Sequence, residues 1–238
     1  YEEEIMLDNL QIQGPLTFEL EDLKYDFVLA CRVLVNEGVS EGAFNVSCRI
    51  EGDKMMAIPV TSPMLVTKDN LITSTISEGS PNWKAHPAIY EENPDVNAII
   101  HCHPPYVTAF STLSEVFVPV HHYGAPFHNK IARYTSPGQT KSEDRARRIA
   151  RQLIGNRAIL QQGHGVIVVG KDLHEVLILT LFLEEACWMN HKARQMGKPN
   201  YLTIKQSLKI TPQILKQRSQ DKAWHHYVSK LQKSSYAY

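Results

Sequence analysis

Apolar residues recur at helical spacing from residue 20 to 36, through Leu20, Leu23, Phe27, Ala30, Cys31 and Leu34, and Gly38 stands where such a helix would stop. A first amphipathic helix is therefore predicted. Residues 44–50 and 54–60 read as strands joined by Glu51-Gly52-Asp53, a hairpin signature. The Ser, Thr, Gly and Pro-rich stretch 73–82 predicts a loop, and 85–92 a short helix ended by Asn93-Pro94. An apolar strand follows at 96–101, Pro105 opens a helix through Leu113, and 116–122 patterns as one more short strand.

Residues 142–155 have a helical pattern with Ala146, Ile149, Ala150 and Leu153 inward and Arg145, Arg147, Arg148 and Arg151 on a solvated basic face. Short apolar strands at 158–161 and 166–169 bracket Gly163-His164-Gly165. Asp172, with Glu175 three residues on, opens a long helix in the manner of a capping box, and Gly197 with Pro199 closes it. The charged stretch 205–233 is helix-compatible but interrupted by Pro212, which predicts one or two terminal helices. The expected organisation is one domain over 1–200 and a helical extension, 201–238, packed on it.

Length and charge narrow the class. A chain of 238 residues buries enough core to fold without a metal or disulfides. Its 25 basic and 25 acidic residues balance, which disfavours a nucleic-acid or membrane-surface partner and leaves a small-molecule site as the better expectation. Cys31, Cys48, Cys102 and Cys187 form no C-x-x-C pair, so reduced thiols in a cytoplasm are expected. The longest apolar run, 176–183, is too short to span a bilayer. The acidic start Tyr1-Glu2-Glu3-Glu4 is unlike a signal peptide, and a first residue other than Met implies that native residues precede it.

Chemistry enters at Ile99-Ile100-His101-Cys102-His103. Side chains alternate along a strand, so His101 and His103 share one face and Cys102 takes the other. Two imidazoles at a strand end can ligate one cation, and a third histidine would complete a facial set with open positions. The same pair can also simply cap a strand by hydrogen bonding. Cys102, facing away, reads as a small core residue.

Several motifs in order decide how the pair is read. Phe44-Asn45-Val46-Ser47-Cys48-Arg49, His86-Pro87-Ala88-Ile89-Tyr90, Asn93-Pro94-Asp95-Val96, the paired-histidine strand, His122-Tyr123, and Gly163-His164-Gly165 with Val169-Gly170 together resemble the class II aldolase and adducin family over residues 20–196. The 63-residue separation of His101 and His164 is similar to that of its fuculose-phosphate aldolase branch. The resemblance implies an α/β fold, three-layer α/β/α, around a mixed, largely antiparallel sheet of about nine strands in the family pattern. It also implies one divalent metal per subunit (Zn, Mn or Fe(II)) on His101, His103 and His164, and a homotetramer with sites between subunits. Tyr123 stands at the family's proton-donating tyrosine, contributed across the interface.

The chain also departs from the family. Asn82 stands where the sugar-phosphate aldolases carry their acid/base glutamate, and an amide neither takes nor gives a proton near neutrality. Glu78, four residues earlier in the same loop, is either a stand-in, if the loop is shaped differently, or a solvated loop carboxylate. The phosphate cradle is replaced by Ile58-Pro59-Val60-Thr61-Ser62-Pro63, Ser80-Pro81 and Phe44-Asn45, which remove glycines and amide donors. Asn45 and Ser80 are left as substrate-binding positions, with Asn82 as a hydrogen-bonding positioner.

Three functions stay open on these residues. The first is a metal-dependent lyase, a decarboxylase or aldolase-like enzyme, that cleaves a carbon–carbon bond in an unphosphorylated hydroxy, oxo or aromatic carboxylate, with Tyr123 protonating the enolate. The second is a non-haem Fe(II) oxygenase on the same centre; outlying branches of the family include an aromatic decarboxylase and an oxidatively decarboxylating oxygenase. The third is a metal-binding scaffold without catalysis. Tyr201, Trp224 and Tyr227 in the last segment are either a lid or helix packing.

Overall fold

The computed structural model describes residues 20–40, 42–79, 84–136 and 138–233. Its centre is a seven-stranded sheet of order β3-β2-β1-β4-β7-β6-β5. The strands are β1 (Asn45–Ile50), β2 (Lys54–Ala57), β3 (Ile72–Thr75), β4 (Ala98–Cys102), β5 (Ile131–Tyr134), β6 (Ala158–Gln161) and β7 (Gly165–Gly170). Every pairing is antiparallel except β5 with β6, so the sheet is mixed and largely antiparallel, as expected. Seven strands among the described residues stand against the nine that the family resemblance implied.

Helices cover both faces. Helices α1 (Leu20–Asn36), α3 (Pro105–Ser111), α5 (Leu173–Met196) and α7 (Gln217–Lys233) share one core with Val46, Cys48, Ile100, Cys102, Leu160 and Val168 from the sheet. On the other face, α2 (Ala85–Glu92) and α4 (Glu143–Leu153) pack Ile89, Tyr90 and Ile149 against Met55, Ile99, Ile159 and Ile167. Successive strand residues thus feed alternate layers, which is why β7 is apolar throughout and β4 is apolar as far as His101. Helix α5 is capped by the Asp172 side chain, which accepts from the Glu175 amide at 2.7 Å.

Three expectations for local structure change. Residues 116–122 form no strand of the sheet, because the amide side chain of Asn190 on α5 takes the place of a strand partner. It accepts from Val120 N (3.0 Å) and donates to Val118 O (2.8 Å), while Pro119 has no amide to offer a ladder. The stretch expected as a loop contains β3, an exposed edge strand whose polar residues suit its solvated position. Helix α6 (Ile204–Ile214) runs through Pro212, and the chain breaks only beyond it, before α7.

Of the terminal aromatics, Trp224 and Tyr227 are packing residues and Tyr201 is exposed. Trp224 is buried and stacks on His174 at 3.8 Å between ring centroids, while Tyr227 packs beside Phe182 and Ile214. Among the described residues no helix is long and apolar enough to cross a membrane.

Candidate metal centre

The site lies at the end of β4, on the face shared with α2 and α4. Strand alternation sends Cys102 into the opposite core with no exposure, while His101 follows Ile99 towards α2. His103 comes just after the strand, where Pro104-Pro105 turn the chain into α3. The start of α3 is held by the half-buried Glu184 carboxylate, which accepts from Tyr106 N at 2.9 Å and Val107 N at 2.8 Å. Burial raises the Glu184 pKa against the lowering effect of those two bonds.

His164 reaches the same place from the β6–β7 turn. Gly163 adopts φ +65°, and its amide donates to Ser111 Oγ at 2.9 Å. Gly165 permits the closest approach: a Cβ there would overlap the Cys102 carbonyl oxygen and lie 2.7 Å from His103 Cδ2. Only a residue without a side chain lets β7 pass so near the second histidine.

The three rings converge with centroids 4.9, 5.0 and 4.9 Å apart, and one nitrogen from each lies within 4.8 Å of the others. Two nitrogens on one ion are at most about 4 Å apart. Small ring rotations therefore bring all three into a coordination shell. His101 Nδ1 lies 2.9 Å from the Val166 carbonyl, which fixes a proton there and leaves Nε2 as the lone-pair nitrogen. Burial, and then His103 and His164, push the His101 pKa down to about 3; burial, His103 and Arg145 lower that of His164. His164 Nδ1 is buried without a hydrogen-bond partner. Neutral, inward-facing imidazoles of this kind fit a divalent ion.

The centre opens into a cavity of about 380 Å³. Asn45, the cross-strand partner of His101, lines it with a buried Oδ1 that has no partner, and Gln161 Oε1 is in the same condition. His86 on α2 also lines it; its Nδ1 meets Ser47 Oγ at 2.7 Å while its Nε2 is unpartnered. Each such atom costs about 1–3 kcal/mol unless a ligand or water satisfies it. Lys84 is the single formally charged side chain among the described lining residues, its Nζ lying 3.4 Å from Glu143 Oε1 outside the cavity, and no carboxylate lines the cavity among them.

Other expected residues lie elsewhere. Tyr123 stacks face to face on Phe182, with centroids 3.8 Å apart, and does not line this chain's cavity. Ser80 and Asn82 lie outside the described residues. Glu78 lines a separate groove between α2 and α4 with Glu91 and Arg147, so it does not stand in for the missing base. The basic face of α4 is largely engaged: Arg148 pairs with Asp144, Arg151 with Glu92, and Arg145 donates to the Ser136 carbonyl. Lys84, His86 and Gln161 also line the cavity, although the sequence marks none of them as a site residue. The available signal was His86 four residues before Tyr90 on one helical face, and a glutamine ending an apolar strand beside Gly-His-Gly.

Known proteins place this geometry. Decarboxylase NovR of Streptomyces niveus is 35% identical over 120 residues, covering 49% of this chain; that match spans 44% of NovR's length, less than half of the relative. A 4-hydroxy-3-prenylphenylpyruvate oxygenase/4-hydroxy-3-prenylbenzoate synthase of Streptomyces roseochromogenus subsp. oscitans is 29% identical over 194 residues, covering 74% of this chain and 69% of the relative. The L-fuculose 1-phosphate aldolase structure from Glaciozyma antarctica PI12 superposes with a TM-score of 0.78 at 23% identity, covering 94% of this chain and 96% of that one, a likeness of fold. The class II aldolase and adducin N-terminal domain matches residues 26–191, well over half of the sequence, and the chain belongs to that family.

Proposed function

We propose that the protein is a divalent-metal-dependent carbon–carbon lyase acting on an unphosphorylated hydroxy, oxo or aromatic carboxylate, with decarboxylation as the favoured reaction. The observation that carries this reading is the cavity wall, which combines three convergent histidines and Lys84 with no carboxylate among the described residues. With a cation on the histidines such a wall would attract an anion, and its described residues offer no carboxylate base for abstracting a substrate proton. Decarboxylation of a 3-oxo acid, or of its hydroxyaromatic equivalent, needs none: the bond to the carboxylate breaks, CO2 leaves, and the electron pair is held as an enolate awaiting one proton. A Zn, Mn or Fe(II) ion on His101, His103 and His164 would polarise a substrate oxygen as a Lewis acid.

The chain's own residues supply the rest. Asn45 and Lys84 orient the anion, with Ser80 and Asn82 proposed beside them. Tyr123 from a neighbouring subunit of a homotetramer delivers the proton; burial and Glu185 raise its pKa, so it is protonated at neutral pH. Against a phosphorylated substrate stands the 59–63 turn, where the Thr61 amide is already committed to the Pro59 carbonyl at 2.9 Å.

A second reading, a non-haem Fe(II) oxygenase, is favoured by the match to the Streptomyces oxygenase, since three histidines leave positions for both substrate and dioxygen. Anaerobic turnover separates the two. The purified protein, loaded with each metal, is offered 3-oxo and hydroxyaromatic carboxylates, and aromatic 2-oxo carboxylates for the oxygenase, with and without oxygen. Release of CO2 without oxygen supports the lyase; turnover that strictly consumes oxygen replaces it by the oxygenase; a replete protein inert under both regimes leaves the scaffold reading.

A further inference from the structure

We infer that His86 is a substrate-binding residue: its Nε2–H donates a hydrogen bond to a carboxylate oxygen of the substrate, and Ser47 and Tyr90 are positioning residues that fix its tautomer. The inference rests on the carboxylate-substrate reading above and adds to it the group that recognises the carboxylate.

The argument begins with hydrogens. Ser47 Oγ lies 2.7 Å from His86 Nδ1 and 2.8 Å from Tyr90 OH, and all three residues are buried, at 0%, 2% and 1% exposure. A hydroxyl donates one hydrogen, so the chain can run in two directions. If Ser47 donated to Tyr90, the phenol hydrogen would have no acceptor among the described residues, an unsatisfied donor in the core. If Tyr90 donates to Ser47 and Ser47 to His86 Nδ1, both hydroxyl hydrogens are used, the imidazole proton must sit on Nε2, and that N–H is the one donor left for a ligand. Desolvation keeps the ring neutral and the phenol protonated, in agreement with that direction.

The placement follows from the strand. Asn45 and Ser47 are two residues apart on β1 and share a face, and Asn45 pairs across the sheet with His101. His86, anchored on Ser47, therefore stands one pleat from the residue that neighbours the first histidine of the centre. Its free nitrogen belongs to a residue lining the cavity and has no partner. A fixed neutral donor suits a carboxylate whose other oxygen is engaged at the three-histidine cluster, because it orients the anion without proton transfer.

Two measurements test this. Nitrogen-15 NMR of histidine-labelled protein is expected to show His86 as a single tautomer protonated on Nε2, with Ser47→Ala losing that bias; a proton on Nδ1 in the wild type overturns the inference. Zinc-loaded wild type and His86→Phe are then titrated with oxalate, an unreactive dicarboxylate. The expected result is equal zinc content and oxalate binding about 10-fold weaker in the variant, as for one lost hydrogen bond. Equal oxalate affinity, or zinc-loaded wild type that binds no oxalate, refutes the role of His86. Wild type that binds no zinc, manganese or iron refutes the metal reading instead, so the two failures are distinct. If His86→Phe does not fold, the titration is read on Ser47→Ala, which should weaken oxalate binding without loss of zinc; unchanged binding there overturns the inference.

Discussion

Replacing Gly165 by alanine tests how tightly β7 is held against the histidine pair. The residue sits at φ +154° with the Cys102 carbonyl and His103 Cδ2 in the space a Cβ would fill. One obstacle is backbone of the neighbouring strand, which pairs Cys102 with Val166, so it cannot swing aside as a long side chain would. Unfavourable backbone conformation costs about 1 kcal/mol and overpacking a further 1–3 kcal/mol, together roughly 3 kcal/mol. For a chain of this size that is a fall in Tm of about 6–12 °C. Relaxation at the His103 contact displaces that ring relative to the other two, so metal affinity should fall on the order of 10- to 100-fold. Gly163→Ala is the control, because its φ is also positive but nothing lies within 4 Å of its missing Cβ. It should cost about 1 kcal/mol in stability and little in metal binding. Calorimetry of the apo proteins and zinc titration of the folded ones are the assays. A Gly165→Ala variant with wild-type zinc affinity would refute the reasoning.

Further predictions concern the surrounding residues. Glu184→Leu removes both acceptors at the start of α3 and should destabilise the protein by about 3 kcal/mol in urea unfolding and weaken zinc binding, since the Pro104-Pro105 corner carries His103. Lys84→Met should raise KM for a carboxylate substrate on the order of 10-fold with little change in kcat; an unchanged KM would show that the cation does not meet the anion. The apo protein should lose stability in acid through His86. Its pKa is about 3 in the folded state against an ordinary 6.5, so the unfolded chain takes up the proton first. The contribution present above 6.5 is lost as the pH falls towards 3, and the part lost by pH 5 is about 2 kcal/mol. Comparing urea unfolding at pH 7 and pH 5 for wild type and His86→Phe should show a smaller difference in the variant.

The sequence made strongly periodic elements legible and concealed those defined by their neighbours. Helix α1 and strand β6 match their expected bounds because each carries an uninterrupted apolar pattern. Strand β3 was read as a loop because an edge strand exposes polar residues, and β5 was overlooked because four residues carry too short a pattern. The reverse error at 116–122 arose because Asn190, some seventy positions away, satisfies the backbone that a strand would otherwise pair. The same distinction governs the site. His101 and His103 announce themselves two apart on a strand, and His164 was reached through a family spacing. His86 and Lys84 enter the cavity only because α2 folds over β1, and Gln161 only because β6 lies beside β7.

Metal content tests the central claim most directly. Wild type, Cys102→Ala, His101→Ala, His103→Ala and His164→Ala are purified anaerobically, offered zinc, manganese or ferrous iron, desalted and analysed by elemental mass spectrometry, with circular dichroism to confirm folding. About one metal per chain is expected for wild type and Cys102→Ala, and most of it should be gone from each histidine variant. A folded His164→Ala protein that keeps its full complement of metal would contradict the account.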